Sequence, residues 1–437
     1  MRKLICLLAA LWLLPLAAGA ESALPDALRM TQTAESRQPK KNIYINTYYP
    51  QTASPAVDAE LRALLEEMTQ RAAPSLPAKA PNEEGAYLDV QPTVFRTGEK
   101  WMSFLSTAII RAKRQQTYVA LDARAYDMET GRRLTLHDVL KDEAGWTLVG
   151  AAVREQLAAY FPDEPASEAE LNSLSSPAAL EFAHFTLNTA FLQLHYRADV
   201  LYPGKTTLMH VRIPYADLRQ HMTEEALRQT DNSARRLIAL TYDDGPVVGR
   251  TMRLVRALRA GGASATFFIV GDRIHYCPDE VTLVHDAGFT VASHNYYHVY
   301  GSKSRGKVIQ YRDKLNAELY KWIGTPVRLM RAPGGLEQVF IDENVGLPLF
   351  HWSIISKSKN NKVPDPAAEA RRLASIAQDG DIILLHDLYI GTDKMALTLP
   401  ALLADKGLLC VTLEEMFAVK GIPLEPNQVY WDAKGAQ

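Results

Sequence analysis

The stretch Leu237-Ile-Ala-Leu-Thr-Tyr-Asp-Asp-Gly-Pro246 decides the fold of the second half of the chain. Its apolar start has the length of a buried strand, and the strand runs directly into two adjacent carboxylates, Asp243 and Asp244, before a Gly-Pro turn. Similar short apolar runs follow, separated by helical patterns, at 265–270, 290–293, 328–331, 349–354, 381–386 and 408–413. This alternation predicts a parallel α/β sheet or barrel, in which chemistry gathers at the carboxyl ends of the strands.

The two adjacent acids at the end of the first strand are the first candidate site residues. Two carboxylates held close together disfavour joint ionisation unless a cation lies between them. The pair Asp243 and Asp244 therefore suits a metal ligand next to a general base. A solvated Asp-Asp-Gly turn explains the same residues without any chemistry, because Asp and Gly favour turns.

Histidines follow two further strands of this half. His294 and His298 are four residues apart, a spacing that puts both imidazoles on one face of a helical turn. Two imidazoles and one carboxylate, with positions left open for water, are typical of a catalytic zinc site. His386 ends the sixth strand pattern and is expected at the same rim. The remaining histidines do not stand at such a strand end and are interpreted as surface or core residues: His137, His184, His195, His210, His221, His275, His285 and His351.

These motifs, in this order, resemble those of the polysaccharide deacetylases of the NodB-homology type, carbohydrate esterase family four. Thr241-Tyr-Asp-Asp-Gly-Pro246 is similar to the first family motif, and Ala265-Thr-Phe-Phe-Ile-Val-Gly271 resembles the second strand. His294 and His298 match the second motif, Arg331-Ala-Pro333 the third, and Leu384-Leu-His386 the last. The resemblance covers about residues 236–420, under half of the chain.

The resemblance implies an incomplete β/α barrel with a divalent metal, most often zinc, bound by Asp244, His294 and His298. It further implies that Asp243 is the base, that His386 is the acid, and that Arg331 orients Asp243. The residues that it places against the substrate are Pro333, Gly334, Trp352 and Leu384.

The first half of the chain has a different pattern of strands and helices, which predicts a separate α+β domain. Strand patterns occur at 42–48, 191–196 and 207–213, a hairpin at 118–136, and helical patterns at 57–72 and 146–161. We therefore predict an accessory domain at 40–222, a linker at 223–235 and the deacetylase domain at 236–425. The accessory part resembles the domain that precedes the deacetylase in some Gram-positive cell-wall deacetylases.

The composition and the N-terminal leader limit the cellular compartment and the possible binding partners of the protein. The 437 residues include 48 Lys and Arg against 50 Asp and Glu, a net charge of −2, which argues against nucleic-acid binding. Residues 1–20 have a basic start, a short apolar run and small residues at Ala18 and Ala20, typical of a cleaved secretion signal. No second apolar segment approaches spanning length. We expect a secreted, cell-wall-associated protein in which Cys277 and Cys410 do not pair.

The sequence departs from the family pattern at the fourth motif. Ile355 and Ser358 stand where the family has two acids, the second of which raises the pKa of the acid histidine. Asp381 and Asp387 are the neighbouring acids that could substitute. Asn295 replaces the usual Ser or Thr after the first metal histidine. The lysines of this region either meet an anionic substrate or form a solvated loop: Lys357, Lys359 and Lys362.

Three functions fit these residues. The leading hypothesis is a secreted, metal-dependent carbohydrate N-deacetylase that hydrolyses the acetamide of peptidoglycan or chitin-like amino sugars. A non-catalytic glycan-binding protein built on a degenerate barrel is the first alternative, supported by the lost fourth motif. An O-acetyl esterase acting on a polysaccharide is the second, because an alkoxide leaving group needs less help from His386 than an amine does.

Overall fold

The computed structural model describes residues 24–82, 85–112 and 115–435. The predicted secretion signal at 1–20 lies outside the described residues. No helix in these described ranges combines the length and the apolar character needed to cross a membrane.

The first unit is built on a six-stranded sheet in the order β1 to β6. The strands are β1 Met30–Lys40, β2 Ile43–Thr52, β3 Ala86–Thr97, β4 Trp101–Ala112, β5 Gln115–Asp127 and β6 Arg132–Leu134. Helix α1, Pro55–Ala72, packs against the sheet through its buried apolar stripe. The predicted hairpin is confirmed by the antiparallel pairing of β5 with β6.

Three of these strands were missing from the sequence prediction, namely β1, β3 and β4. Both β3 and β4 are buried along almost their whole length, and their buried side chains include Gln91, Thr93, Ser103 and Ser106. A strand buried on both faces loses the alternation of apolar and polar residues that identifies a half-exposed strand. Strand β1 is polar and largely exposed, so it has no apolar pattern to find.

A smaller three-stranded antiparallel sheet and several helices complete the first unit. Its strands are β7 Phe185–Leu187, β8 Phe191–Arg197 and β9 Leu208–Pro214. The helices are α2 Leu136–Val139, α3 Glu143–Ala158, α4 Glu168–Leu174, α5 Pro177–Leu180, α6 Tyr215–Leu218 and α7 Glu224–Thr230. Helix α7 falls inside the segment that we predicted to be a linker, so this segment is a structured part of the fold.

The second unit is the predicted α/β barrel. Its parallel strands are β10 Leu237–Gly245, β11 Thr266–Ile269, β12 Thr290–Ser293, β13 Leu349–Phe350, β14 Ile354–Ile355, β15 Ile382–His386, β16 Leu409–Val411 and β17 Val429–Tyr430. The main sheet runs β12-β11-β10-β15-β14, with β16 beside the start of β10. Single bridges through Met330 connect β12 to β13, but among the described residues no pairing joins β13 to β14, so the ring stays open there, as expected of an incomplete barrel.

Helices surround the barrel and connect its strands. They are α8 Arg250–Ala260, α9 Pro278–Asp286, α10 Gly301–Ser304, α11 Val308–Trp322, α12 Gln338–Asp342, α13 Pro366–Ile376, α14 Thr392–Met395, α15 Leu399–Asp405 and α16 Leu413–Val419. Cys277 precedes α9 and Cys410 lies in β16, and both thiols are buried and unpaired, as predicted.

The two units share a continuous apolar core. Phe95, Leu105 and Leu208 of the first unit belong to the same buried cluster as the barrel strands and helices α8 and α9. Glu414 strengthens this junction because it accepts hydrogen bonds from Arg212 on β9 and from Arg328 and Thr290 in the barrel. The barrel is therefore supported from one side by the accessory unit.

Candidate metal and catalytic site

The strand register brings the predicted site residues to one rim of the barrel. Asp243 on β10 pairs directly with His386 on β15, so the base and the acid of the prediction lie on neighbouring strands. Adjacent strands are about 4.8 Å apart, which puts the two side chains at the same edge. Leu384 precedes His386 by two residues and therefore lies on the same face of β15. Its side chain is buried, with 3% exposed.

Asp244 is the centre of the candidate metal site. Its Oδ1 lies 3.1 Å from His298 Nε2 and 3.5 Å from His294 Nε2. The backbone at Asp244 has a φ of 69°, a left-handed conformation that Asp tolerates better than most residues. This turn directs the carboxylates of Asp243 and Asp244 to different partners.

The histidine pair is held by an irregular turn and not by the helical turn that the spacing suggested. Asn295, between the two histidines, has a φ of 68°. Its side chain accepts a hydrogen bond from the Tyr296 amide and donates one to Ser304. Asn is among the few residues that adopt this conformation at low cost, which gives a physical reason for its presence here.

The donor set fits a divalent cation. Oδ1 of Asp244 is buried without a hydrogen-bond partner, although two imidazole nitrogens converge on it. His294 donates from Nδ1 to the carbonyl of Arg331 at 2.9 Å, which leaves the lone pair on Nε2, facing Asp244. The pKa of Asp244 lies below its usual value, because His294 and His298 outweigh the opposing effect of burial.

Asp243 is bound by a fully buried guanidinium. Arg331 donates from Nη1 to Asp243 Oδ1 and to the Thr241 hydroxyl, each at 2.8 Å. It also donates from Nη2 to the carbonyl of His351 at 2.7 Å. Burial lowers the pKa of Arg331 while Asp243 opposes that shift, and the opposite charges strengthen the hydrogen bond between the two groups. The second oxygen of Asp243 is left to face the site.

The resemblance described above implies a carboxylate partner for His386. Among the described residues, no carboxylate is recorded in a hydrogen bond or ion pair with its ring. Burial lowers the pKa of His386, against the opposing effect of Asp243 and Asp244. The ring instead stacks on Tyr389, with centroids 4.3 Å apart and planes 14° from parallel. Burial raises the pKa of Tyr389, and Ser358, which replaces one missing acid, opposes that shift.

Neither neighbouring acid substitutes for the missing partner. Asp381 lies at the opposite end of β15, where it binds Ser353 and Lys434. Asp387 points away from the site and accepts a hydrogen bond from Thr251. Burial raises the pKa of Asp387 to about 7. A Cβ at Gly245 would lie 2.3 Å from its Oδ2, which explains why glycine follows the two site acids.

The lysines of the altered motif lie on a tight hairpin. Lys359 and Lys362 exchange backbone hydrogen bonds around residues 360 and 361, so both side chains project to the same face. Ser358 projects to the other face, towards Tyr389. The three lysines Lys357, Lys359 and Lys362 are all exposed, which favours the interpretation of a solvated loop.

A second group of potential ligands lies in the junction between the two units and is less suited to a metal. His195 and His210 face each other through Nδ1 at 2.8 Å. His210 donates from Nε2 to the carbonyl of His285, and His285 donates from Nε2 to the carbonyl of Leu208. The Nε2 nitrogens of His210 and His285 therefore carry protons and offer no lone pair to a cation, and the lone pair of His210 Nδ1 accepts from His195 Nδ1. Burial lowers the pKa of all three histidines, to about 3 for His195 and His285.

Comparison with known proteins assigns the family. The model of the polysaccharide deacetylase family matches residues 230–345. A peptidoglycan-N-acetylglucosamine deacetylase of Bacillus cereus is 31% identical over 196 residues, which cover 42% of this chain and 90% of that protein. The chain belongs to the polysaccharide deacetylase family.

Two longer relatives are similar across both units. The peptidoglycan-N-acetylglucosamine deacetylase PgdA of Listeria monocytogenes is 26% identical over 315 residues, 70% of this chain. The peptidoglycan-N-acetylmuramic acid deacetylase PdaC of Bacillus subtilis is 21% identical over 319 residues, 68% of this chain. The match spans 66% of the Listeria protein and 68% of the Bacillus subtilis protein.

Sequence reasoning missed several residues that shape the site. Thr241 accepts from Arg331 and donates to the carbonyl of Ile383, so it ties the guanidinium to β15. Tyr389 supports His386, and the carbonyl of His351 binds Arg331. None of these residues belongs to a spacing pattern, although Tyr389 lies only three positions after His386. Pro333 is buried and Gly334 is exposed at the rim, where their predicted substrate contacts stay predictions.

Proposed function

We propose that the protein is a secreted, metal-dependent carbohydrate N-deacetylase that removes acetyl groups from the amino sugars of peptidoglycan and releases acetate. The observation that carries the proposal is the meeting of Asp244, His294 and His298 next to the Asp243–Arg331 pair. Family membership and the activities named for the relatives support the substrate class. The proposed export rests on the leader at 1–20.

Asp244, His294 and His298 would hold the metal, which we propose to be zinc. A bound divalent cation lowers the pKa of water and polarises the carbonyl that is attacked. Asp244 contributes the negative charge, and His294 is fixed in the correct tautomer by its bond to the Arg331 carbonyl. His298 completes the set from the far end of the turn.

Asp243 accepts the proton of the attacking water. Its Oδ1 is held by Arg331, so Oδ2 is the atom left for the proton. The guanidinium also prevents Asp243 from rotating, since Arg331 is anchored to Thr241 and to the carbonyl of His351. A base held in one orientation loses little entropy when the substrate arrives.

His386 delivers the proton that the leaving amine needs. An amide intermediate reverts to substrate unless the nitrogen is protonated as the carbon–nitrogen bond breaks. The depressed pKa of His386 makes its protonated form a stronger acid and a less populated one at neutral pH. Stacking on Tyr389 fixes the plane of the ring.

The test is acetate release from N-acetylated peptidoglycan by the zinc-loaded protein, with Asp243→Asn as the control. Release that disappears in the control supports the proposal. A zinc-loaded protein that releases no acetate from peptidoglycan contradicts it.

One observation favours a second candidate, an O-acetyl esterase. The ring of His386 has no recorded carboxylate partner in the described part of the chain, and an alkoxide leaves with less protonation than an amine. Parallel assays with acetylated xylan and with peptidoglycan separate the two activities. A higher kcat/KM on the ester would favour the esterase.

A further inference from the structure

Three aromatic rings are stacked at the rim of the barrel, next to the site. The His351 and Trp352 rings have centroids 3.9 Å apart and planes 16° from parallel. The His351 and Trp431 rings have centroids 3.6 Å apart and planes 32° from parallel. Two indoles at these spacings cannot share one face of an imidazole. His351 is therefore sandwiched between the two tryptophans.

Strand pairing holds this aromatic stack in place. Strand β17 runs parallel to β13, and the His351 amide donates to the Tyr430 carbonyl at 2.8 Å. Beneath the stack, a Cβ at Gly335 would lie 2.6 Å from His351 Nε2, so only glycine fits there. Glu337 Oε1 lies 3.5 Å from the same nitrogen. The stack is part of the rigid scaffold and not a loose terminal segment.

The aromatic stack is continuous with the catalytic groups. Arg331 binds Asp243 through one nitrogen and the His351 carbonyl through another. Its guanidinium lies 5.7 Å from the centroid of the Trp352 ring. From Arg331 the rings run outward to Trp431, which is 54% exposed. The outer face of Trp431 is thus a flat apolar surface. It is connected through His351 and Arg331 to Asp243, the proposed base.

We propose that Trp431 is the stacking platform for a sugar ring of the glycan, in a subsite beside the sugar that reacts. This inference rests on the proposed function and adds the recognition of an extended chain. One face of a pyranose ring carries C–H groups, which pack on the electron-rich face of an aromatic ring, while the hydroxyls at its edge stay in water. An exposed indole at the mouth of a polar site suits this ligand chemistry.

The experiment measures binding of N-acetylglucosamine oligomers, from the dimer to the hexamer, to the zinc-loaded full-length protein by titration calorimetry. All proteins carry Asp243→Asn to prevent turnover. We expect Trp431→Ala to weaken hexamer binding by about 10-fold, within the range seen when a base loses its aromatic platform, and to leave unchanged the binding of the monomer, measured alongside, which fills only the reacting subsite. Trp431→Phe should retain most of the affinity. Trp431→Leu, which keeps apolar area but no aromatic face, should not.

The matched control is Trp322→Ala, which removes a 40% exposed tryptophan from α11. Hexamer affinity that is equal in Trp431→Ala and the parent overturns the proposal. A Trp431→Ala protein that changes its oligomeric state and not its glycan affinity also overturns the proposal. The exposed face of Trp431 would then be a contact with a second copy of the chain. If Trp431→Ala does not fold, the Phe and Leu variants decide the question.

The two proposals fail in different ways. Chain-length-dependent binding that requires Trp431, together with no acetate release by the protein with Asp243 restored, refutes the deacetylase and keeps the platform. Acetate release from peptidoglycan with the same KM in Trp431→Ala and the wild type keeps the deacetylase and refutes the platform.

Discussion

Asp243 and Asp244 are consecutive in the chain, yet their carboxylates face different partners. Asp243 accepts from the buried guanidinium of Arg331, and Asp244 faces the imidazoles of His294 and His298. The left-handed turn at Asp244 causes this separation. Two carboxylates that would otherwise repel each other thereby acquire separate partners, and we propose separate roles for them.

Removing a proposed metal ligand should abolish stoichiometric zinc binding. We expect His298→Ala to weaken zinc affinity by more than about 100-fold, beyond the 10- to 100-fold usually lost with an outer-shell partner. Titration with a competing chelator measures the affinity. The control is His275→Ala, because His275 is exposed and is not among the candidate ligands. Full zinc occupancy in His298→Ala would show that the ligand assignment is wrong.

Removing Arg331 should cost stability as well as activity. Arg331→Ala leaves Asp243 buried without its counter-charge, a loss of about 3–5 kcal/mol for a buried pair. Urea unfolding measures the free energy of unfolding. The matched control is Arg71→Ala, which breaks an exposed pair with Glu67 and should change stability by less than about 1 kcal/mol. Equal losses in the two variants would contradict the role of burial.

The stack of Tyr389 on His386 should matter for amides more than for activated esters. We expect Tyr389→Leu to lower kcat/KM for the acetamide by about 2- to 10-fold, the worth of one aromatic stack, because the acid loses its orientation. An activated acetate ester needs no proton on its leaving group, so its turnover should change less. Tyr389→Phe keeps the ring and should preserve the ratio of the two activities. The same loss on both substrates would argue against a positioning role.

Stability should decrease as the pH falls below about 6.5. Burial lowers the pKa values of His195 and His285 to about 3 in the folded chain. As the pH falls below about 6.5, the unfolded chain therefore binds protons at these histidines that the folded chain does not bind. At pH 5 this difference amounts to about 2 kcal/mol for each histidine considered alone. Urea unfolding at pH 7.5, 6 and 5 measures the slope. His285→Asn should flatten it, and the exposed His137→Gln should not. A slope that is unchanged in His285→Asn would contradict this origin.

The sequence was sufficient to predict the barrel because its strands are short apolar runs that end in polar residues. The pairing of Asp243 with His386 follows from that pattern, since both end a strand. Strands β3 and β4 could not be predicted, because polar side chains such as Gln91 are buried there and bind across the junction. The family resemblance implied the contact of Arg331 with Asp243, whereas the anchors of Arg331 at Thr241 and His351 and the stack of Tyr389 on His386 were beyond the sequence. Orientation at a strand end depends on tertiary packing, which no spacing encodes.

Helix α7, inside the predicted linker, has a practical consequence for anyone who divides this chain. Its neighbour Asn232 is buried and donates to Thr97 and to the Thr189 carbonyl, while the Gly98 amide donates to its side-chain oxygen. A fragment that begins at residue 236 would lose these bonds, would bring the apolar surface under Phe95 into water, and would leave Glu414 without Arg212. A chimaera that exchanges the barrel between relatives must therefore also exchange the surface of the first unit on which the barrel packs.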